Sequence, residues 1–336
     1  EMTGISRRDL QKAARLLANN EQVSIVFGNG ITQNTNGTNA VIAIANLAML
    51  TGNAGRRGGI FALQRENNGF GAGDMGTLPG FLPGYQSIDD AQSRKKFEER
   101  WHCSLPSSTG LTALEMVTAI EEGKIKGMFV MGENPMTSFP HTQKVKKALE
   151  SLDFLAVSDM FMTGTTRLAS VVFPAASFAE KEGTFTNFEG RVQKIHKVIG
   201  PIGNCLPDSE IVLRLSAVMG SPMPYKSEKD VLDEIEIMVP FYQHVAHVDT
   251  DAVKAELIEV ENDSHGNRRL HKGIFPSGFG RFTGVEFEPK PKGNNGQYPL
   301  TLMVGSGRYH FGTGERSSRS ARLNRFCPET LLEISS

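Results

Sequence analysis

The sequence predicts an α/β protein, and three features carry that prediction. Short runs rich in β-branched and aromatic residues alternate with helix patterns. Three strand-like runs end in loops of small or polar residues, GNGITQ (28–33), GENPMT (132–137) and SDMFMT (158–163). Glycine is frequent, 35 of 336 residues, in loops that also hold asparagine and suit tight turns.

The elements follow in order. Ser6 can cap a helix whose apolar residues Leu10, Ala13, Ala14 and Leu17 share one face. QVSIVF, Gln22 to Phe27, reads as a strand that ends in GNG. NAVIAIANLAML (39–50) is apolar nearly all round, which predicts a buried helix. Residues 52–88 read as one long loop rich in Gly, Asn and Pro, and a loop of that length is usually functional. Thr112 and Glu115 have capping-box spacing and start a helix that runs to Glu122. GMFVM (127–131) is a strand leading into GENP, and His141 to Leu149 is a helix with exposed lysines. Phe154 to Ser158 is a strand ending at Asp159, and SVVF (170–173) is a further one. No internal repeat of fixed period is present.

Composition bounds the function. A chain of 336 residues predicts two or three domains, and 39% hydrophobic residues supply a core. The formal net charge of −1 offers no basic face for nucleic acid and no acidic tail. Three widely separated cysteines, Cys103, Cys205 and Cys327, argue against a disulfide framework and against a cysteine-held metal cluster built from this chain alone. No apolar run reaches the ~20 residues of a membrane span. No charged and apolar leader precedes the first helix, and a cytoplasmic protein is expected.

In open parallel sheets, ligands sit beyond the carboxyl ends of strands. Gly28 and Gly30 would let an anion approach the main chain. The spacing is GxGxxQ, so a nicotinamide fingerprint is not met, and a tight strand-to-helix turn explains the glycines equally well. Asp159, at a strand end and four residues before Thr163, is more informative. A carboxylate there can accept two parallel N–H donors, such as guanine offers at N1 and N2 and adenine does not. It can also cap a helix, and both readings stay open.

Six stretches together carry a resemblance: GNGITQNTNGTNAV (28–41), NLAMLTGNAGRRGG (46–59), ENNGFGAGDMGTLPGFLPGYQ (66–86), MGENPMTS (131–138), VSDMFMTGTTRLASVVFPAASFAEKEGTFTNFEGRVQ (157–193) and YPLTLMVGSGRYHFGTG (298–314). They resemble the catalytic subunit of the molybdenum or tungsten bis-pterin oxidoreductases, on the formate dehydrogenase branch. They come in that family's order and cover most of the chain, with 240–270 poorly matched.

The resemblance implies Rossmann-like α/β domains plus the start of a C-terminal β-barrel. It divides the chain into part of one cofactor-binding domain (1–66), part of a second (67–180), a connecting region (181–297) and a truncated barrel (298–336). It implies two molybdopterin guanine dinucleotides with Mo or W. GNGITQ, with Gly28, Asn29, Gly30 and Gln33, resembles a loop contacting one dinucleotide. The glycine-rich stretch resembles the segment that crosses beneath the pterin, where Glu66, Asn67, Asn68, Gly71 and Asp74 to Gly76 match. Gly132, Glu133, Asn134, Asp159 and Thr163 resemble the site for the other guanosine. GSGRYH, with Gly305, Ser306, Gly307 and His310, resembles a loop from the C-terminal domain onto the cofactor.

The family's Cys-rich iron–sulfur domain and its cysteine or selenocysteine metal ligand have no counterpart here, and none of the three cysteines falls on a ligand position. The sequence reads as an internal fragment, with the iron–sulfur cluster expected outside it and no metal ligand within it. Iron–sulfur electron-transfer subunits and a small-molecule substrate are the expected partners. In formate dehydrogenases the triplet matching Gln64-Arg65-Glu66 commonly reads Arg-Gly-Gln, and its arginine orients the carboxylate substrate as a bidentate donor. Here Gln64 takes that place and Arg65 falls one residue later. One step along an extended backbone turns a side chain to the other side, so Arg65 is expected to pair with Glu66 or meet a cofactor phosphate.

Two other function classes remain: a non-catalytic scaffold related to the large iron–sulfur subunit of NADH-quinone oxidoreductases, and a plain nucleotide-binding α/β module. Other features have simpler readings. His244 and His247, spaced HxxH, read as surface histidines without a third ligand. The methionines of VSDMFM read as core packing. Arg316, Arg319, Arg322 and Arg325 recur every three residues, which suits either a helix face or an anionic pterin.

Overall fold

A computed structural model of the chain describes residues 3–54, 59–190, 192–242, 279–287 and 309–327. They fall into two compact units. The first comprises the described parts of Glu1–Phe70, Thr186–Arg191 and Lys254–Met303, and the second those of Gly71–Phe185, Val192–Val253 and Val304–Ser336.

In the first unit, α1 (Arg7–Ala18) starts where the sequence predicts. Asp9 N donates to the Ser6 hydroxyl oxygen at 3.1 Å. No residue of α1 is buried, and Leu10 and Leu16 are exposed. β1 (Ser24–Phe27) is followed by the short α2 (Asn29–Thr32) and by α3 (Gly37–Leu50). α3 stands where an apolar helix is predicted, but only Gly37 and Ala48 are buried and Leu50 is exposed. Uniform apolar composition gives a helix no preferred face, so its neighbours alone decide what is covered. β1 pairs in parallel with β2 (Gly59–Ala62), Ile25 against Ile60 and Val26 against Phe61. Buried Asn53 ties the end of α3 to this sheet. Its Oδ1 accepts from Val23 N at 2.8 Å and its Nδ2 donates to Thr51 Oγ1 at 3.0 Å.

The expected loop over 52–88 is therefore corrected. Besides β2 it contains α4 (Gly69–Asp74) and the antiparallel β3 (Phe81–Leu82) and β4 (Gln86–Ser87). The strands are two to four residues long, and too few apolar residues alternate in them for a period to be read. Some glycines here answer to the protein itself. A Cβ on Gly73 would stand 2.7 Å from the Tyr85 hydroxyl. Gly76, at φ +79°, lies against the backbone of 81–83.

In the second unit, α5 (Ala91–Trp101) is capped by Asp90, and α6 (Ala113–Glu121) carries the predicted capping box of Thr112 and Glu115. Next come β5 (Gly127–Met131), α7 (Pro135–Ser138), α8 (Thr142–Glu150), β6 (Phe154–Asp159) and β7 (Val171–Pro174). The three strands form a parallel sheet in the order β5–β6–β7. α6 and α8 cover one face. Val117, Ile120, Val145 and Leu149 pack on Val130, Leu155 and Val157 in a single cluster, each side chain contributing about 1.5–3 kcal/mol on full burial. β8 (Gly183–Thr186) and β9 (Val192–Ile195) form a two-stranded sheet. α9 (Asp208–Val218) and α10 (Glu228–Met238) follow, and α11 (Ala321–Phe326) lies in the last described segment. α10 meets α5 through buried Glu234, which accepts from Arg100 Nε, Trp101 Nε1 and the Tyr225 hydroxyl, each at 2.8 Å.

Candidate functional site

Parallel register brings the first group of predicted residues together. β5 and β6 finish side by side, Met131 beside Ser158, and Gly132 N donates to Ser158 O at 2.8 Å. Gly132 sits at φ +65°, a conformation that other residues adopt only with strain. Asp159 closes β6 and is only 7% exposed. Its Oδ1 accepts from Met160 N at 2.6 Å and Phe161 N at 3.3 Å, while its Oδ2 has no hydrogen-bond partner among the described residues. Burial pushes the carboxyl above the usual range. The backbone N–H bonds and the Arg316 charge pull the other way without cancelling it. The local reading of Asp159, as a cap, describes one of its oxygens. One oxygen caps the following turn, and the other is left as an acceptor at a strand end.

The neighbours of Asp159 are committed to the protein. Asn134 is buried, and its Oδ1 accepts from Thr165 N at 3.2 Å and Thr165 Oγ1 at 2.7 Å. Its Nδ2 donates to Thr137 Oγ1 at 2.8 Å and to Glu315 Oε2 at 3.1 Å. Thr163 exchanges hydrogen bonds with Thr166 in a tight turn. Glu133 Oε1 accepts from Asn134 N at 2.7 Å. Ser158, fully buried, donates to Asp208 Oδ1 at 3.1 Å, and Lys181 pairs with Asp208 Oδ2 at 2.6 Å. The methionines of the same stretch do not form core. Met162 is 55% exposed and Met160 half-buried, because the chain turns outward after β6.

Segment 309–327 reaches these strand ends, which sequence reasoning did not foresee. Arg316 Nη2 donates to Gly132 O at 2.9 Å. Arg319 donates to Met162 O at 3.4 Å, and its guanidinium lies 4.5 Å from the Phe161 ring centre. The three-residue recurrence of arginines and the resemblance of GSGRYH to a loop onto the cofactor are the signals the sequence offers, and neither names these partners. His310 faces its own segment, Nδ1 toward Ser317 Oγ at 3.1 Å and Nε2 toward the Cys327 carbonyl at 3.2 Å. Because the carbonyl only accepts, Nε2 carries a proton and donates to it.

The first unit holds the other predicted residues. Asn29 opens α2 and Gln33 follows it, both with exposed side-chain amides that have no hydrogen bond within the described residues. A Cβ on Gly30 would meet nothing within 4 Å, and one on Gly28 would only touch Leu63 at 3.8 Å. Gln64, Arg65, Glu66 and Asn67 are exposed. Gln64 lies against Gly69, whose absent Cβ leaves room for its amide at 2.9 Å. The expected Arg65–Glu66 ion pair does not form among the described residues, as both side chains extend into solvent. Asn68 Oδ1 accepts from Thr186 N at 2.9 Å. Gly305, Ser306, Gly307, His244, His247 and the strand expected from Tyr298 lie outside the described residues. Among those described, no three His, Cys, Asp or Glu side chains converge as metal ligands, and no helix is long and apolar enough to cross a membrane.

Comparison with known proteins places the chain in a family. Residues 11–218 match the family described as Molybdopterin oxidoreductase, and the chain belongs to that family. Its α/β fold is the one the sequence predicts. Among curated proteins it is 40% identical to the F420-dependent formate dehydrogenase subunit alpha of Methanocaldococcus jannaschii, covering 99% of this chain and 50% of that protein. It is 34% identical to the Probable oxidoreductase YjgC of Bacillus subtilis, over 100% of this chain and 34% of that protein. Formate dehydrogenase H of Escherichia coli is 30% identical over 90% of this chain and 44% of its own length. The chain thus spans half or less of the length of these relatives.

Proposed function

We propose that this chain is part of the catalytic subunit of a molybdenum or tungsten oxidoreductase of the formate dehydrogenase type. In this reading the complete protein holds two molybdopterin guanine dinucleotides and passes electrons to iron–sulfur partners. The observation that carries it is the Asp159 carboxylate, buried at the end of β6 with one oxygen unpartnered among the described residues. Guanine presents two adjacent N–H donors, N1 and N2, and an ionised carboxylate is an acceptor-only group that matches them. Adenine presents a donor beside an acceptor and does not match. Gly132 adds no side-chain bulk at that strand end, where a Cβ would meet Arg316 Nη2 at 3.8 Å. In the other unit, the unpartnered amides of Asn29 and Gln33 beside bare Gly30 suit the polar groups of a second dinucleotide.

The residues present therefore fit the group that the family name implies. When bound, the metal centre supplies the electron chemistry, and the protein supplies binding and electrostatics. Asp159 would hold the guanine, and Asn29, Gln33 and the backbone of 28–30 the other dinucleotide. Gln64 would meet the substrate with hydrogen bonds but no charge. A second reading, a non-catalytic scaffold of the same fold, is favoured by the triplet Gln64-Arg65-Glu66 in place of Arg-Gly-Gln.

Metal and pterin analysis of the complete protein tests both readings. Stoichiometric molybdenum or tungsten with pterin supports the enzyme, and its absence supports the scaffold. Asp159→Asn turns an acceptor oxygen into a donor facing donors, which costs about 1–3 kcal/mol of binding. Pterin content unchanged after extensive dialysis would show that Asp159 is only a turn cap.

A further inference from the structure

Three contacts, each joining residues more than 150 positions apart, fix the segment that carries Arg316 to the strand ends around Asp159. Arg316 Nη2 binds Gly132 O, beside the residue that precedes Asp159. Arg319 binds Met162 O and covers the Phe161 ring, just after Asp159. Glu315 Oε2 accepts from Asn134 Nδ2 at 3.1 Å and Thr137 Oγ1 at 3.4 Å. Asn134 is thus the hub that joins the β5–α7 turn, the Thr165 turn and this segment.

The charges are apportioned in a telling way. Glu315 is neutralised by Arg319, Nη2 to Oε1 at 2.9 Å, whereas Arg316 forms no ion pair among the described residues. Asp159, buried and half-satisfied, needs a counter-charge in order to stay an acceptor. We propose that segment 309–327 is a clasp that presents Arg316 to the end of β6, where its guanidinium is the counter-charge of Asp159 and holds that carboxylate as an acceptor for a ligand's paired N–H donors. The inference rests on the reading of Asp159 given under the proposed function.

The charged groups near Asp159 support this assignment. Arg316 favours its ionised form and Glu315 opposes it, while burial is the largest influence and raises its pKa. Glu133, in the β5–α7 turn, directs Oε1 at Asn134 N, and Arg319 is occupied by Glu315 and Phe161. Arg316 is therefore a positioning residue. Its removal should act through the protonation of Asp159 rather than through lost fastening alone.

The test measures pterin retained by the complete protein after dialysis at a series of pH values. Thermal melting of each variant checks the fold. Wild-type protein should lose pterin as pH falls through the titration of Asp159. Arg316→Gln keeps a donor for Gly132 O but removes the charge, so its loss should begin at higher pH. Near the wild-type midpoint it should retain about two- to fivefold less pterin, the size of effect an exposed ion pair gives. Arg316→Lys should restore the wild-type profile. In about 1 M salt, where screening acts within ~3 Å, wild type and Arg316→Gln should converge. The double variant Glu315→Gln, Arg319→Gln, which loosens the clasp but removes one charge of each sign and leaves the Arg316 charge, should lower retention at all pH values without the midpoint shift of Arg316→Gln. An Arg316→Gln midpoint equal to wild type, or an Arg316→Lys profile no better than Arg316→Gln, would overturn the clasp. Asp159→Asn with the wild-type retention and pH profile would instead overturn the reading of Asp159 beneath it.

Discussion

Removing Glu234 should destabilise the second unit well away from its strand ends. Its carboxylate is buried in α10. Oε1 takes Trp101 Nε1 and the Tyr225 hydroxyl, and Oε2 takes Arg100 Nε. A hydrogen bond to a charged group contributes about 1.5–3 kcal/mol, and three would sum to well above 4 kcal/mol. That sum is too large, because the Arg100 side chain is 44% exposed and water replaces part of its bond. Alanine also gains a few tenths of a kcal/mol of helix propensity. Glu234→Ala should therefore cost about 3 kcal/mol. Glu234→Gln should cost about half of that, since its amide keeps one acceptor oxygen but opposes a donor to Arg100. Urea unfolding at pH 7, followed by the fluorescence of Trp101, the single tryptophan of this sequence, measures both. A cost below about 1 kcal/mol for Glu234→Ala would refute the reasoning, because a buried acceptor of three donors cannot be that dispensable.

The same network sets the sign of two pH effects. Burial works to raise the Glu234 pKa, but the bonds from Tyr225, Trp101 and Arg100 outweigh it and hold the carboxyl below its usual range. Its stabilisation is then present above the unfolded carboxylate pKa and lost as pH falls through the lower folded value. Burial, with Glu234 as second cause, pushes Tyr225 up to about 12. That stabilisation is present below the unfolded tyrosine pKa and lost as pH rises through the folded one. Glu234→Ala should remove its own share of the acid limb and weaken the alkaline one, whose first cause, the burial of Tyr225, remains; an alkaline limb of unchanged size would show that Tyr225 does not depend on Glu234.

Further outcomes can be stated briefly. Gly37→Ala would drive a methyl group into the Thr32 carbonyl, with the Thr32 carbonyl carbon at 2.9 Å. Backbone cannot yield as a side chain does, so a loss of about 2–3 kcal/mol or more is expected by urea unfolding. Thr112→Ala removes the cap that accepts from Glu115 N and should cost about 1 kcal/mol, read as a lower urea midpoint at constant slope. The complete, metal-loaded protein should oxidise formate poorly, because Gln64 offers no charge where a bidentate arginine is expected. Loss of such a contact is worth about one to two decades in rate. Rapid formate turnover together with a slower Gln64→Arg, Arg65→Gly double variant would show that this triplet is not at the substrate position.

Local signals were enough for the α/β class and for many element starts. Ser6 and the Thr112–Glu115 pair announce α1 and α6, because a cap is written within four residues of chain. β5 and β6 are legible as apolar runs ending at glycine or aspartate, and their ends mark Asp159 from sequence alone. β2 was not legible, since its four residues become a strand only in register with β1. Nor was the burial of α3, whose all-apolar surface carries no direction. One oxygen of Asp159 is tied down by its own neighbours, Met160 and Phe161, but that Arg316 and Glu315 reach Gly132 and Asn134 depends on contacts between residues more than 150 positions apart. Such contacts form when packing brings distant segments together, and no local pattern encodes them. The sequence by itself determined the fold class and the acidic strand end, because caps, runs and turns act over a few residues. Tertiary structure alone decided that strand end's charge and partners, because desolvation and counter-charge belong to the space around a residue rather than to its neighbours in the chain.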